Sequence, residues 1–128
     1  MRAVSVGLAG AIALCALAPA ARAQTADSIL ASAKEARRLA TCVSGFVWRE
    51  AGDMDLVCVP PPARDRVAQE NRLARARRAG GGAYGGDTCK AGFVWRDAFA
   101  GDHVCVPPAS RDLAAQENHM ASVRRVRR

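Results

Sequence analysis

The chain has 128 residues, 19 Lys and Arg against 12 Asp and Glu, five cysteines and six aromatic residues. That length holds at most one ordinary domain. Together with an apolar fraction of 50% that is largely alanine, it excludes a large enzyme, a multi-span membrane protein and a chain with a deep hydrophobic core.

Met1 and Arg2 make a short positive start, and the apolar run at 3–18 leads to Pro19 and Ala21-Arg22-Ala23. A basic n-region, an apolar h-region and a small-x-small site read as a secretory signal over 1–23, cut after Ala23. The run is near the ~18-residue lower limit for a span, but it is rich in Ala and Gly and ends at a proline. Leu14 precedes Cys15 where a lipobox needs a small residue, which argues against a lipoprotein. Cleavage leaves 105 residues, net +5, and four cysteines. An even cysteine count in an exported chain predicts a disulfide framework, and a secreted or periplasmic location. Leu, Ile, Val and Phe make up 19 of the 105 residues, below the ~20% level at which a chain struggles to fold by burial alone.

Residues 24–40 predict an N-terminal helix with a weak apolar stripe at Ile29, Ala33, Ala36 and Ala40. Beyond it lies an internal repeat. Residues 41–78 superpose on 88–125 at a constant shift of 47, with 23 of 38 positions identical. A tandem duplication of this kind organises the whole chain. In the first copy, Gly45 to Arg49 alternates, with Phe46 and Trp48 on one face and Val47 and Arg49 on the other. Asp55 to Val59 is β-branched and ends at Pro60-Pro61, and the four residues at 51–54 lie between the two runs. Two short strands around such a loop predict a hairpin. Positions 52–54 and 56 differ between the copies, which fits a loosely specified turn. Residues 63–78 contain helix formers and no glycine. Ser110 is the expected N-cap of the second copy's helix, with Asp65 and Asp112 in the first turn and Arg77-Arg78 and Arg124-Arg125 at the far end, the signs that the helix dipole favours. Residues 79–87, with five glycines in nine, read as a flexible linker, and 126–128 as a basic tail.

The predicted fold is a small disulfide-stabilised α+β protein. Two tandem strand–turn–strand–helix, or ββα-like, units follow an N-terminal helix. Four cysteines allow three pairings. Because each copy carries its own pair, Cys42–Cys58 and Cys89–Cys105 are expected. Loops of this size stabilise by roughly 3 kcal/mol, a large share for units too small to build a core unaided. Phe46, Trp48, Val57 and Val67 or Leu113 are expected to pack around the bridges.

The segment Tyr84-Gly85-Gly86-Asp87-Thr88-Cys89-Lys90-Ala91-Gly92-Phe93-Val94-Trp95-Arg96-Asp97-Ala98, with Gly101-Asp102-His103-Val104-Cys105-Val106-Pro107 and then Arg111 and Glu117-Asn118, resembles a repeat of uncharacterised exported bacterial proteins. That repeat reads C-x2-G-[FY]-V-W-R-[ED]-A-x3-D-x-V-C-V-x-P. The first copy matches from Cys42 to Asn71 but lacks the Tyr-Gly lead-in. The resemblance implies export and names no activity.

No zinc site is expected, since each unit has two cysteines and no His pair at ligand spacing. No C-x-x-C redox pair is present either. The copies share no histidine and no serine. The shared acids Asp55/Asp102, Asp65/Asp112 and Glu70/Glu117 read as turn, helix N-terminal and helix-surface residues, so no catalytic constellation and no cofactor is expected. The remaining reading is a binding module of unknown ligand. Arginine outnumbers lysine 15 to 2 after cleavage, and guanidinium forks suit phosphate and carboxylate groups. The runs Arg72 to Arg78 and Arg124 to Arg128 concentrate the charge, and Arg64, Arg111, Arg124, Arg125, Arg127 and Arg128 are candidates for binding an anionic envelope polymer or a membrane surface. The sequence carries no specific nucleic-acid motif. The alternative is a protein or glycan partner met by the repeated pairs Trp48-Arg49 and Trp95-Arg96 on the hairpin face. Tryptophans packed as core against the disulfides are the competing role for the same residues.

Overall fold

A computed structural model describes residues 25–127; the expected secretory signal at 1–23, Gln24 and Arg128 lie outside them. Helix α1, Ala26–Arg38, starts at Thr25, whose side chain accepts a hydrogen bond from the Ser28 amide. Asp27 sits in its first turn and Arg37 and Arg38 in its last, so both dipole ends are matched. Ala33 is its buried residue, and Ala40 just beyond it is buried too, whereas Ile29 lies toward solvent. Strand β1, Ala40–Cys42, follows at once.

Each repeat then makes the expected hairpin. In the first, β2 (Val47–Trp48) pairs antiparallel with β3 (Cys58–Val59), so that Trp48 faces Cys58. In the second, β4 (Val94–Trp95) pairs with β5 (Cys105–Val106) in the same register. Disulfides Cys42–Cys58 and Cys89–Cys105 tie the segment before each hairpin to its second strand.

The helices begin earlier than expected. Helix α2 spans Pro61–Leu73 and α3 spans Pro108–His119. Pro60 and Pro107 stand at the cap without a side-chain bond. A proline at the first helical position already has the right φ, and its missing N–H would be unpaired there anyway. Ser110 is therefore inside α3 and not its cap, and Asp65 and Asp112 fall beyond the first turn. A 3₁₀ turn at Arg75–Arg77 ends the first unit.

The glycine-rich segment 79–87 is an ordered loop and not a loose tether. Gly80, Gly82 and Gly85 supply positive φ, and a 3₁₀ turn closes at Gly85–Asp87. The Ala79 amide donates to Thr88 O and the Lys90 amide to Arg77 O, around an antiparallel bridge of Arg78 to Cys89. The basic tail is likewise built in. After the short helix α4 (Ala121–Arg124), β6 (Arg125–Arg127) pairs antiparallel with β1, placing Arg125 opposite Cys42. The Val43 amide donates to Arg124 O. These are the same contacts shifted by 47 residues. The end of each unit's helix thus pairs with the start of the other unit, and the two copies lock together as a pseudo-twofold pair.

Between them lies a small core of Ala51, Val67, Ala98 and Ala114, with Phe99 packed against it. Val67 and its counterpart Ala114 are fully buried, while Leu113 is 40% exposed and takes no part in the core. Position 52 and its counterpart 99 meet each other here. A Cβ on Gly52 would stand 2.6 Å from Phe99 Cζ. The difference between the copies at this position is therefore a fitted pair, not loose specification. Gly52→Ala should cost about 1–3 kcal/mol by overpacking in a denaturant titration with bridges intact. Adding Phe99→Leu should restore part of the loss, and additive penalties in the double variant would contradict the contact.

Candidate functional site

The turn of each hairpin presents one arginine and one aspartate six residues apart. Arg49 Nε and Nη2 donate to Asp55 Oδ2 and Oδ1 at 2.9 and 2.8 Å, a two-point fork. Asp55 also accepts the amides of Ala51 and Val57, which fixes the loop around the carboxylate. Arg96 and Asp102 repeat the arrangement, with Ala98 and Val104 amides on the carboxylate. Both arginines are 0% exposed.

Their remaining N–H groups cross to the other unit. Arg49 Nη1 donates to Glu117 Oε2 and Ala114 O, and Nη2 to Ala98 O and Asn118 Oδ1. Arg96 Nη1 donates to Glu70 Oε2 and Nη2 to Ala51 O. Arg66 joins the two halves, with Nη2 at 2.8 Å from Glu117 Oε1 and Nε at 3.3 Å from Glu70 Oε1. Three guanidiniums and four carboxylates thus share the centre of the molecule. Burial alone would lower the Arg49 value. The hydrogen bonds and charges of Asp55 and Glu117 outweigh it and hold the guanidinium above its ordinary value.

This overturns the expected Trp48-Arg49 and Trp95-Arg96 surface patch. Successive strand residues face opposite sides, but the side carrying Arg49 and Arg96 faces the other repeat. It also reassigns the shared acids: Glu70 and Glu117 are buried clamp residues rather than helix-surface ones, and Asp55 and Asp102 are buried ligands of arginine as well as turn residues. The signal was visible as identity between copies, although no residue pattern named the partner.

The arginine runs are mostly structural as well. Arg124 lies over the Phe46 ring, and Arg77 over Phe93, each at about 5 Å and each from the opposite unit. Arg125 Nη1 donates to Leu56 O, and Arg78 pairs with Asp87. Arg111 pairs with Asp97 at 2.6 Å. Arg64 and Arg127 make no ion pair among the described residues. Arg128 lies outside those residues.

The tryptophans are half-buried and covered in different ways. Trp48 carries Arg37 of α1, 5.3 Å from its ring, and Arg37 also pairs with Glu50. Trp95 donates its indole N–H to Asp87 O at 2.7 Å. His103 stacks on its ring, with Nδ1 on Asp87 Oδ2, and Tyr84 meets it edge-on. The His103 hydrogen bond, with help from Arg78, holds the Asp87 carboxyl below its ordinary value. Beside this stack opens a cleft of about 360 Å³ reaching Asp97 and Arg111, and a second groove of about 300 Å³ runs between Leu39, Leu56 and Arg127. Among the described residues, no three His, Cys, Asp or Glu side chains gather as a metal site.

Two outcomes follow from this geometry. Arg49→Met leaves Asp55 buried without its cation and removes one of the two guanidiniums on Glu117, which keeps Arg66, and should cost roughly 3–5 kcal/mol. Arg49→Lys should recover little, because an ammonium cannot reproduce the fork. A denaturant midpoint nearly unchanged in either variant would contradict the clamp. Because the folded Asp87 value is lowered, its ion pair contributes above the ordinary carboxylate value and is lost as pH falls through the lowered one. The side-chain carboxyl resonance of Asp87 should therefore titrate below the usual carboxylate range in an NMR pH series.

The chain matches no protein-family model, no curated protein and no solved structure.

Proposed function

We propose that the protein is an exported, non-enzymatic binding module that attaches to anionic polymers or lipid headgroups of the cell envelope. The observation that carries this reading is the division of charge between inside and outside. The buried network absorbs four carboxylates but only three guanidiniums, so the surface is more positive than the chain as a whole. Two disulfides support export, as does the basic-apolar-small pattern of the first 23 residues. Among the described residues no helix is long and apolar enough to cross a membrane. The acids shared by the two hairpins are held by arginine, which favours a structural role over proton transfer.

Of the two expected arginine runs, the one that ends the first unit suits a polyanion better than the C-terminal one. Arg124 and Arg125 are engaged in holding the units together. Arg64, Arg72 and Arg75 instead follow one side of α2 and its terminal turn, over roughly 16 Å at 1.5 Å per residue, and none forms an ion pair among the described residues. Their counterparts are Arg111, His119 and Ser122, so the stripe belongs to the first copy alone.

Co-sedimentation with phosphatidylglycerol vesicles, against phosphatidylcholine vesicles, tests the proposal. Binding should fall with added salt. At about 1 kcal/mol per basic residue near an anionic surface, Arg64→Gln, Arg72→Gln and Arg75→Gln together should weaken it roughly a hundredfold. Equal binding by the triple variant, or no binding by the intact protein at low salt, sinks the reading.

A further inference from the structure

The duplication supplies an internal comparison for the cleft beside Trp95. In the first unit the corresponding face is closed by α1: Arg37 lies on Trp48 and pairs with Glu50 at 3.7 Å. In the second unit the glycine-rich loop with its 3₁₀ turn at Gly85–Asp87 stands where α1 stands in the first. Tyr84 stands at the position of Arg37, Asp97 at that of Glu50 and Arg111 at that of Arg64, and the cleft of about 360 Å³ is open among them.

Three features give this cleft a definite chemistry. Its aromatic wall is both exposed and fixed. Tyr84 is 66% exposed, yet its ring meets Trp95 with centroids 4.7 Å apart and its amide donates to Thr88 Oγ1. Trp95 is itself pinned by Asp87 O and the His103 stack. Next to that wall stands the Asp97–Arg111 pair, half exposed on both sides, offering a carboxylate acceptor and a guanidinium donor side by side. Asp97 is presented there by a left-handed backbone, φ 53. A surface ion pair of this kind is worth little to stability, so its hydrogen-bonding capacity is available to a ligand.

We propose that this cleft is a carbohydrate-binding subsite. The C–H face of a pyranose ring packs on Tyr84, and neighbouring hydroxyl groups donate to Asp97 and accept from Arg111. An apolar ligand would desolvate the ion pair without replacing its water. A phosphate would meet the Asp97 carboxylate. A proline-rich peptide docks on aromatic grooves, but the indole N–H that would hold its carbonyl is already given to Asp87 O. The site is single, because α1 closes the equivalent face of the first unit. It is also separate from the α2 arginine stripe, and uncharged sugars test it without engaging that stripe.

In a Trp48→Phe protein, Trp95 is the only tryptophan and reports on the cleft. Titration with the tetrasaccharides of β-1,4-linked N-acetylglucosamine, β-1,4-linked glucose and α-1,4-linked glucose should give, for at least one, a saturable change in Trp95 emission with one site per chain. Tyr84→Ala should weaken it by about tenfold or more, and Asp97→Asn, which keeps a residue tolerant of positive φ, should weaken it similarly. Asp53→Asn, on the exposed turn of the first unit, should leave it unchanged. Unaltered far-ultraviolet circular dichroism confirms that the variants are folded. No saturable change with any of the three sugars overturns the proposal. So does binding that survives Tyr84→Ala, or a response to a proline-rich peptide in place of the sugars.

Discussion

A guanidinium taken out of water has to find a partner for nearly every N–H or it costs several kcal/mol. Arg49 and Arg96 are both fully buried, and neither can be satisfied within its own repeat. Asp55 and Asp102 take one edge of each fork, and the other edge is met only by the opposite unit, through Glu117 and Asn118 in one case and Glu70 in the other. From that constraint the rest follows. The two hairpins must face each other's helices, the contact between them must be lined by small residues such as Ala51, Ala98 and Ala114 so the arginines can pass, and the helix ends must reach across to the partner's first strand. The disulfides hold each hairpin in shape, and the arginine clamps hold the hairpins to one another.

What was legible in the sequence was local. The shift of 47, the cysteine spacing and the alternation from Phe46 to Arg49 sufficed for two disulfide-linked hairpins followed by helices, because each of those signals lies within a few residues of the structure it encodes. The clamp joins residues 65 or more positions apart in the case of Arg49 and Glu117 or Ala114, and charged residues are ordinarily placed outside. Glycine content argued for a loose linker, whereas the same glycines give the left-handed turns of a defined loop. The short alternation Arg125-Val126-Arg127 was too brief to announce a strand without β1 beside it. The binding candidates fared according to the same rule. Arg64 and Arg127, which have no repeat partner to hold, remain on the surface, while Arg49, Arg96, Arg124 and Arg125 are consumed by contacts between the copies.

The differences between the copies are as informative as the identities. Arg66 bridges Glu70 and Glu117, and its counterpart Leu113 lies in solvent, so one copy supplies the central cation for both. Asn118 accepts from Arg49, while its counterpart Asn71 turns its amide toward the backbone of Glu50 and Ala51. Arg37 and Tyr84 occupy corresponding positions and give one closed and one open aromatic face. The shared residues maintain the scaffold, and the unshared ones set the two surfaces apart.

The contact of Gly52 with Phe99 bears on ancestry. At a true twofold axis a residue meets its own copy, so a homodimer of either repeat would put Gly against Gly, leaving a hole, or Phe against Phe, with two rings competing for one space. Joining two repeats in a single chain releases that restriction, because each side of the axis becomes a separate codon. The Gly52–Phe99 pair is a fit open only to two unlike halves. It commits the two halves to each other, since a symmetric pair of either would leave a hole or a clash at this position.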